Sequence, residues 1–242
     1  MKDNYMAQLI VALDLPTAEE AERCIDELYE TDVIFKIGLE GLCGYPERIF
    51  AHAEARDVRL FIDVKLHDIP RTVGAAMERL VRPNAAIVNV HALGGSRMMH
   101  AAVDAAAHRA EQLGIARPEI FAVTMLTSME QRDADELGIG GDIGGIAMRL
   151  AGIARSAGCD GAICSVHEVA ALKAAYGGNF LALTPGIRPE NADSHDQRRI
   201  ATPRSAVAAG SDYIVVGRPI LTAPDRLAAT RAILDEIVEA RA

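Results

Sequence analysis

The chain has 242 residues, 50% hydrophobic and 24% charged, with a net charge of −9. That length suits one compact α/β domain over residues 1–242, and the acidity argues against a nucleic-acid surface, which needs a basic patch or stripe. No apolar run reaches the eighteen or so residues of a membrane span and no signal-peptide pattern opens the chain, so the expected setting is the cytoplasm, away from membranes.

Taken in order, short apolar runs alternate with longer stretches of helical period. The runs are Leu9 to Leu13, Val33 to Ile37, Leu60 to Val64, Ala85 to Val90, Ile120 to Val123, Gly161 to Cys164, Phe180 to Leu183 and Tyr213 to Val216. Between them lie Ala-, Glu- and Arg-rich stretches such as Thr17 to Tyr29, Thr72 to Val81, Ser96 to Leu113 and Ile143 to Ser156, with Thr or Ser placed to cap several starts. Eight strand–helix units predict a closed (β/α)8 TIM barrel. An open doubly wound sheet is the alternative, but the chain has no Gly-x-Gly-x-x-Gly turn or Walker lysine. Gly138 to Gly145 lacks a Gly-Lys-Ser/Thr ending and reads as a flexible loop before a helix. Cys24, Cys43, Cys159 and Cys164 show no C-x-x-C spacing, which points to buried free thiols rather than a zinc site or redox pair.

In a barrel, the chemistry belongs where strands end. Asp14 ends the first run, Lys36 the second, Asp63 and Lys65 the third, and His91 the fourth. Thr124 and Thr127 end the fifth, while Thr184 to Arg188 follow the seventh and Gly217-Arg218 the eighth. The densest cluster is Asp63-Val64-Lys65-Leu66-His67-Asp68-Ile69-Pro70, where an ammonium stands between two carboxylates. Strand alternation points Phe61, Asp63 and Lys65 to one face, and Pro70 turns the following loop into a helix. An opposite charge within a few ångströms favours the charged form of both partners. Lys65 is therefore read as a proton donor or anion stabiliser, since a Schiff-base lysine needs the reverse, a depressed pKa. A salt bridge closing a strand end is the plain alternative.

Barrels often bind phosphate with the loops after strands seven and eight, and Thr184-Pro185-Gly186-Ile187-Arg188 and Gly217-Arg218 suit that role. Glycine lets backbone N–H groups approach an oxyanion, and a guanidinium fork matches phosphate oxygens in pairs. His91 is read as a packed hydrogen-bond partner, and His67 as support.

Several blocks together resemble the orotidine 5′-phosphate decarboxylase family over nearly the whole chain. They are Val11-Ala12-Leu13-Asp14, Phe35-Lys36-Ile37-Gly38, the D-x-K-x-x-D-I-P stretch from Asp63 to Pro70, Val123 to Ser128, Thr184 to Pro189, Asp196 to Arg199 and Val216 to Pro219. Arg71 departs from the family's frequent asparagine but leaves Thr72 in place. The resemblance implies decarboxylation of orotidine 5′-monophosphate to uridine 5′-monophosphate and CO2, without metal or organic cofactor, in de novo pyrimidine synthesis. It implies that Lys65 stabilises and protonates a carbanion at C6, with Lys36 and Asp63 completing the array and holding the ribose hydroxyls. Asp68 would come from the partner subunit of a homodimer. Asp14 and Thr72 would lie near the ribose, Thr127 near the pyrimidine, and Arg188, Gln197, Gly217 and Arg218 at the phosphate, with Pro189 to Arg199 as a closing lid.

Two other readings stand beside it. One is a metal-dependent sugar-phosphate enzyme sharing the D-x-K-x-x-D frame, of the hexulose-phosphate synthase or keto-gulonate-phosphate decarboxylase type. The other is a non-catalytic phosphate-ligand binder, which would be expected to lose one of Lys36, Asp63, Lys65 or Asp68; all four are present.

Overall fold

The computed structural model describes residues 7–188 and 201–240. Eight parallel strands close into a barrel in sequence order, β1 pairing with both β2 and β8. They are β1 (Gln8–Ala12), β2 (Ile34–Ile37), β3 (Leu60–Leu66), β4 (Ala85–His91), β5 (Glu119–Val123), β6 (Gly161–Ile163), β7 (Leu181–Thr184) and β8 (Tyr213–Val216). Helices follow the strands in turn, giving the (β/α)8 architecture that the alternation predicts.

The strands read as continuous apolar runs because both of their faces are buried. One set of alternating residues, including Ile10, Ile34, Phe61, Ile87, Phe121 and Val215, fills the barrel interior. The other set, including Val11, Phe35, Ile62, Val88 and Ile214, packs outward against the helices. Gly161 makes room for the interior: a Cβ there would stand 2.4 Å from the Phe121 ring. At fully buried aromatic and branched positions, each such side chain contributes about 1.5–3 kcal/mol of transfer free energy.

Helix starts follow the local chemistry, with some differences from the sequence reading. Thr17 caps the helix Ala18–Leu28, its hydroxyl accepting from Glu20 N–H at 3.3 Å. Thr72 and Ser96 cap nothing, because Pro70 already opens one helix (Pro70–Leu80) and Gly95 the other (Gly95–Leu113). The Gly138–Gly145 stretch is only partly a loop: Asp142 caps the helix Ile143–Ser156 by accepting from Gly145 N–H, so the last two glycines lie inside its first turn. All four cysteines are free, but Cys43 is exposed rather than buried.

β3 runs two residues further than the apolar pattern indicates, and it does so irregularly. Between the pairings Ile62↔Val88 and Leu66↔Val90, β3 advances four residues while β4 advances two. Asp63, Val64 and Lys65 form the bulge. Lys65 has φ +49°, a left-handed conformation uncommon outside glycine.

Candidate active site

The charged residues at or just past the ends of β1, β2 and β3 meet at the C-terminal mouth of the barrel. Lys36 Nζ stands 3.1 Å from Asp14 Oδ1 and 3.3 Å from Asp63 Oδ2, and Lys65 Nζ is 2.6 Å from Asp63 Oδ1. The result is a chain of alternating charge, Asp14–Lys36–Asp63–Lys65. Lys36 and Asp63 are buried, whereas the Lys65 side chain is 34% exposed and open to the cavity. Burial works to raise the Asp63 pKa, but the Lys36 and Lys65 ammoniums, with hydrogen bonds from Lys65 and Asn89, outweigh it and hold the carboxyl below its ordinary range. Gly38 keeps the space clear, since a Cβ there would lie 3.0 Å from Lys36 Nζ.

Two adjoining cavities share this array. The first, about 270 Å³, is floored by Phe61, Val123, Ile163, Leu183 and Val215 and edged by Lys36, Asp63, Lys65, Leu126, Thr127 and Ser128. An apolar floor with a few polar groups on one side suits a flat heterocycle. The second, about 250 Å³, is lined by Asp14, Lys36, Asp63, Gly186, Arg188, Gly217 and Arg218. It sets two guanidinium-bearing residues at the far end from Lys65, where an anion such as phosphate fits.

The structure thus brings together Asp14, Lys36, Asp63, Lys65, Thr127, Arg188, Gly217 and Arg218. It does not bring in Asp68 or Thr72. Both are exposed, and Asp68 Oδ1 accepts from the neighbouring Ile69 N–H at 2.6 Å instead of pairing with a lysine. Gln197 and the 189–199 lid segment lie outside the described residues.

Some strand-end polar residues turn out to fasten the barrel. Thr124 donates to Ile163 O at 3.1 Å, and Thr184 Oγ1 sits 3.1 Å from Ser211 Oγ and 3.2 Å from Tyr213 O. His91 stacks on His67 with ring centroids 5.4 Å apart, and its Nδ1 accepts from Leu93 N–H. Burial, followed by the neighbouring His67 and Lys65, lowers the His91 pKa. A packed hydrogen-bond role for His91 agrees with this geometry.

Sequence reasoning missed Asn89, whose buried side chain bonds both Asp63 and the backbone of Lys65. Its one mark in the sequence is that it is the single polar residue within the apolar run Ala85 to Val90.

Comparison with known proteins gives the same direction. A profile described as "Orotidine 5′-phosphate decarboxylase / HUMPS family" matches residues 7–233. The chain belongs to that family. An orotidine 5′-phosphate decarboxylase of Nitratidesulfovibrio vulgaris is 44% identical over 237 residues, covering 98% of this chain and 100% of the relative. One of Moorella thermoacetica is 42% identical, covering 95% and 92% respectively. The crystal structure of orotidine 5′-phosphate decarboxylase from Lactobacillus acidophilus superposes with a TM-score of 0.84 at 36% identity, covering 96% of this chain and 99% of that one. Family membership therefore extends across both cavities and the whole barrel.

Proposed function

We propose that the chain decarboxylates orotidine 5′-monophosphate to uridine 5′-monophosphate and CO2 in de novo pyrimidine synthesis. The observation that carries this reading is the Lys65–Asp63 ion pair, 2.6 Å long, at the edge of an apolar cavity with Lys36 behind it. The relatives that align end to end with the chain carry the same activity in their names.

The chemistry follows from where charge develops. Breaking the bond between C6 and the carboxylate leaves its electron pair in the plane of the pyrimidine ring, where the ring carbonyls cannot delocalise it. A fixed cation beside C6 stabilises that carbanion, and the Lys65 ammonium then transfers a proton to it, completing uridine 5′-monophosphate. Lys36 and Asp63 hold Lys65 in place and bind ribose hydroxyls. Asp63 also faces the departing carboxylate, and relief of that repulsion as CO2 leaves favours the transition state over the bound substrate. Asp14 and Thr72 serve the ribose, Thr127 the pyrimidine, and Arg188, Gln197, Gly217 and Arg218 the phosphate. The reaction as written needs no metal or organic cofactor.

Asp68 and Thr72 reach a site only if a second copy supplies them. In support, Asp68 has no ion pair with Lys36 or Lys65 within its own chain among the described residues. The same end of the barrel exposes Leu39 (55%), Ile69 (60%) and Leu93 (41%), apolar surface that association would cover. The working form is accordingly a homodimer of single-domain subunits with shared sites. No helix among the described residues is long and apolar enough to cross a membrane, and a cytoplasmic setting suits a nucleotide substrate.

The test is the loss of orotidine 5′-monophosphate absorbance with excess EDTA present. Full turnover is expected. Activity abolished by EDTA and restored by a divalent ion would contradict the reading in favour of metal-dependent chemistry on the same frame.

A further inference from the structure

We infer that Asn89 is a positioning residue for this reaction, fixing the bulge of β3 so that Lys65 and Asp63 are held in their working geometry. The inference rests on the decarboxylase reading above, in which Lys65 is the proton donor.

Asn89 lies on β4 and is fully buried. Its side-chain oxygen accepts the backbone N–H of Lys65 at 2.7 Å, and its side-chain nitrogen donates to Asp63 Oδ1 at 2.7 Å. Both ends of one amide are thus spent on the two charged residues of β3. The location explains why an amide is needed. From Asp63 to Lys65 the β3–β4 pairing is interrupted, so the Lys65 N–H cannot use the regular ladder. A buried amide hydrogen left without an acceptor carries an uncompensated desolvation penalty. Lys65 also has φ +49°, a strained conformation for a non-glycine residue that persists only where its surroundings enforce it.

Asn89 supplies that enforcement from a rigid neighbouring strand. With the backbone so turned, Lys65 Nζ stands 2.6 Å from the same Asp63 oxygen that receives the Asn89 amide. An apolar side chain at 89 would release the Lys65 backbone and leave Asp63 short of a donor. A carboxylic acid at 89 has nearly the same shape and keeps both bonds only while protonated: its carbonyl accepts from Lys65 N–H, and its hydroxyl donates to Asp63. Once ionised, it sets a second carboxylate against Asp63. Among the described residues, the charged and titratable groups nearest this position are Asp63 and Lys65 from β3, Lys36 of β2 across Asp63, and His91 further along β4. The pairing residues of β5, Phe121 to Val123, bring none.

The experiment measures kcat and KM for orotidine 5′-monophosphate across pH for wild type, Asn89→Ala and Asn89→Asp, each normalised to folded protein by circular dichroism. Asn89→Ala should lose about 10²-fold in kcat, the scale of an ångström-level misplacement, with KM little changed because the phosphate contacts lie on the loops after β7 and β8. The ratio of Asn89→Asp to wild-type kcat should climb as pH falls. A side chain that merely fills space would give a ratio flat in pH. That flat ratio, or wild-type kcat in Asn89→Ala, beside a wild type that turns over, overturns the inference alone. A wild type without turnover overturns the decarboxylase reading and this inference with it.

Discussion

The two ends of the barrel use the same residue types to opposite purposes. At the N-terminal end, Asp160 takes both arms of Arg117 at 2.7 and 2.9 Å and also the backbone N–H of Ile120 at 2.7 Å. Asp212 likewise joins Lys173 at 2.5 Å to the Ala182 N–H at 2.6 Å. Each of these carboxylates bridges a basic side chain and a strand's backbone N–H, and so ties neighbouring elements together. At the C-terminal mouth, Asp63 accepts from Lys65 and Asn89 and faces Lys36, all through side chains and all beside a cavity. A carboxylate bonded to backbone closes a fold. One whose partners are other side chains at a cavity wall holds charge ready for a ligand.

Substitutions at the two ends should separate accordingly. The largest expected effect is Lys65→Ala, which on the proposed reading removes both the stabilising cation and the proton donor. Turnover should fall by about 10⁴-fold or more, while nucleotide binding, followed by calorimetry, stays largely intact because the proposed phosphate contacts, Arg188 and Arg218, line the other cavity. Near-native rates would refute the role given to Lys65. Next comes Arg218→Ala at the phosphate end. Losing a charge-assisted contact of about 1.5–3 kcal/mol predicts a drop of roughly ten- to a hundredfold in kcat/KM. That loss should be confined to the monophosphate; an equal loss with orotidine would argue against a phosphate contact. The smallest effect on chemistry belongs to the N-terminal end. Asp160→Ala should lower unfolding stability by about 1–3 kcal/mol in denaturant titration and leave kcat unchanged, and a lost kcat with unchanged stability would break the comparison.

Much of this was legible in the sequence, for definite reasons. Strands buried on both faces print as apolar runs, so all eight were visible and their ends fell within one or two residues. Charges at strand ends marked Asp14, Lys36, Asp63 and Lys65 because nothing in a barrel wall otherwise accepts them. Three features were not legible. The extension of β3 through Lys65 was hidden because a bulge breaks the alternation on which strand ends are judged. The structural duty of Thr124 and Thr184 depends on partners at Ile163, Ser211 and Tyr213 that are distant in sequence. Asn89 was overlooked because a lone amide in an apolar run says nothing of the bulge across from it until the register is known.

On the proposed reading, Lys65 of one chain and Asp68 of another make a single catalytic site, and mixing two inactive proteins decides whether they do. Lys65→Ala and Asp68→Ala homodimers should each be nearly dead. Unfolding them together and refolding makes about half the dimers mixed, and each mixed dimer has one site with both groups intact and one with neither. Orotidine 5′-monophosphate turnover should then return to roughly a quarter of wild type per total site. If mixed dimers demonstrably form and nothing returns, Asp68 acts within its own subunit and the shared site is wrong.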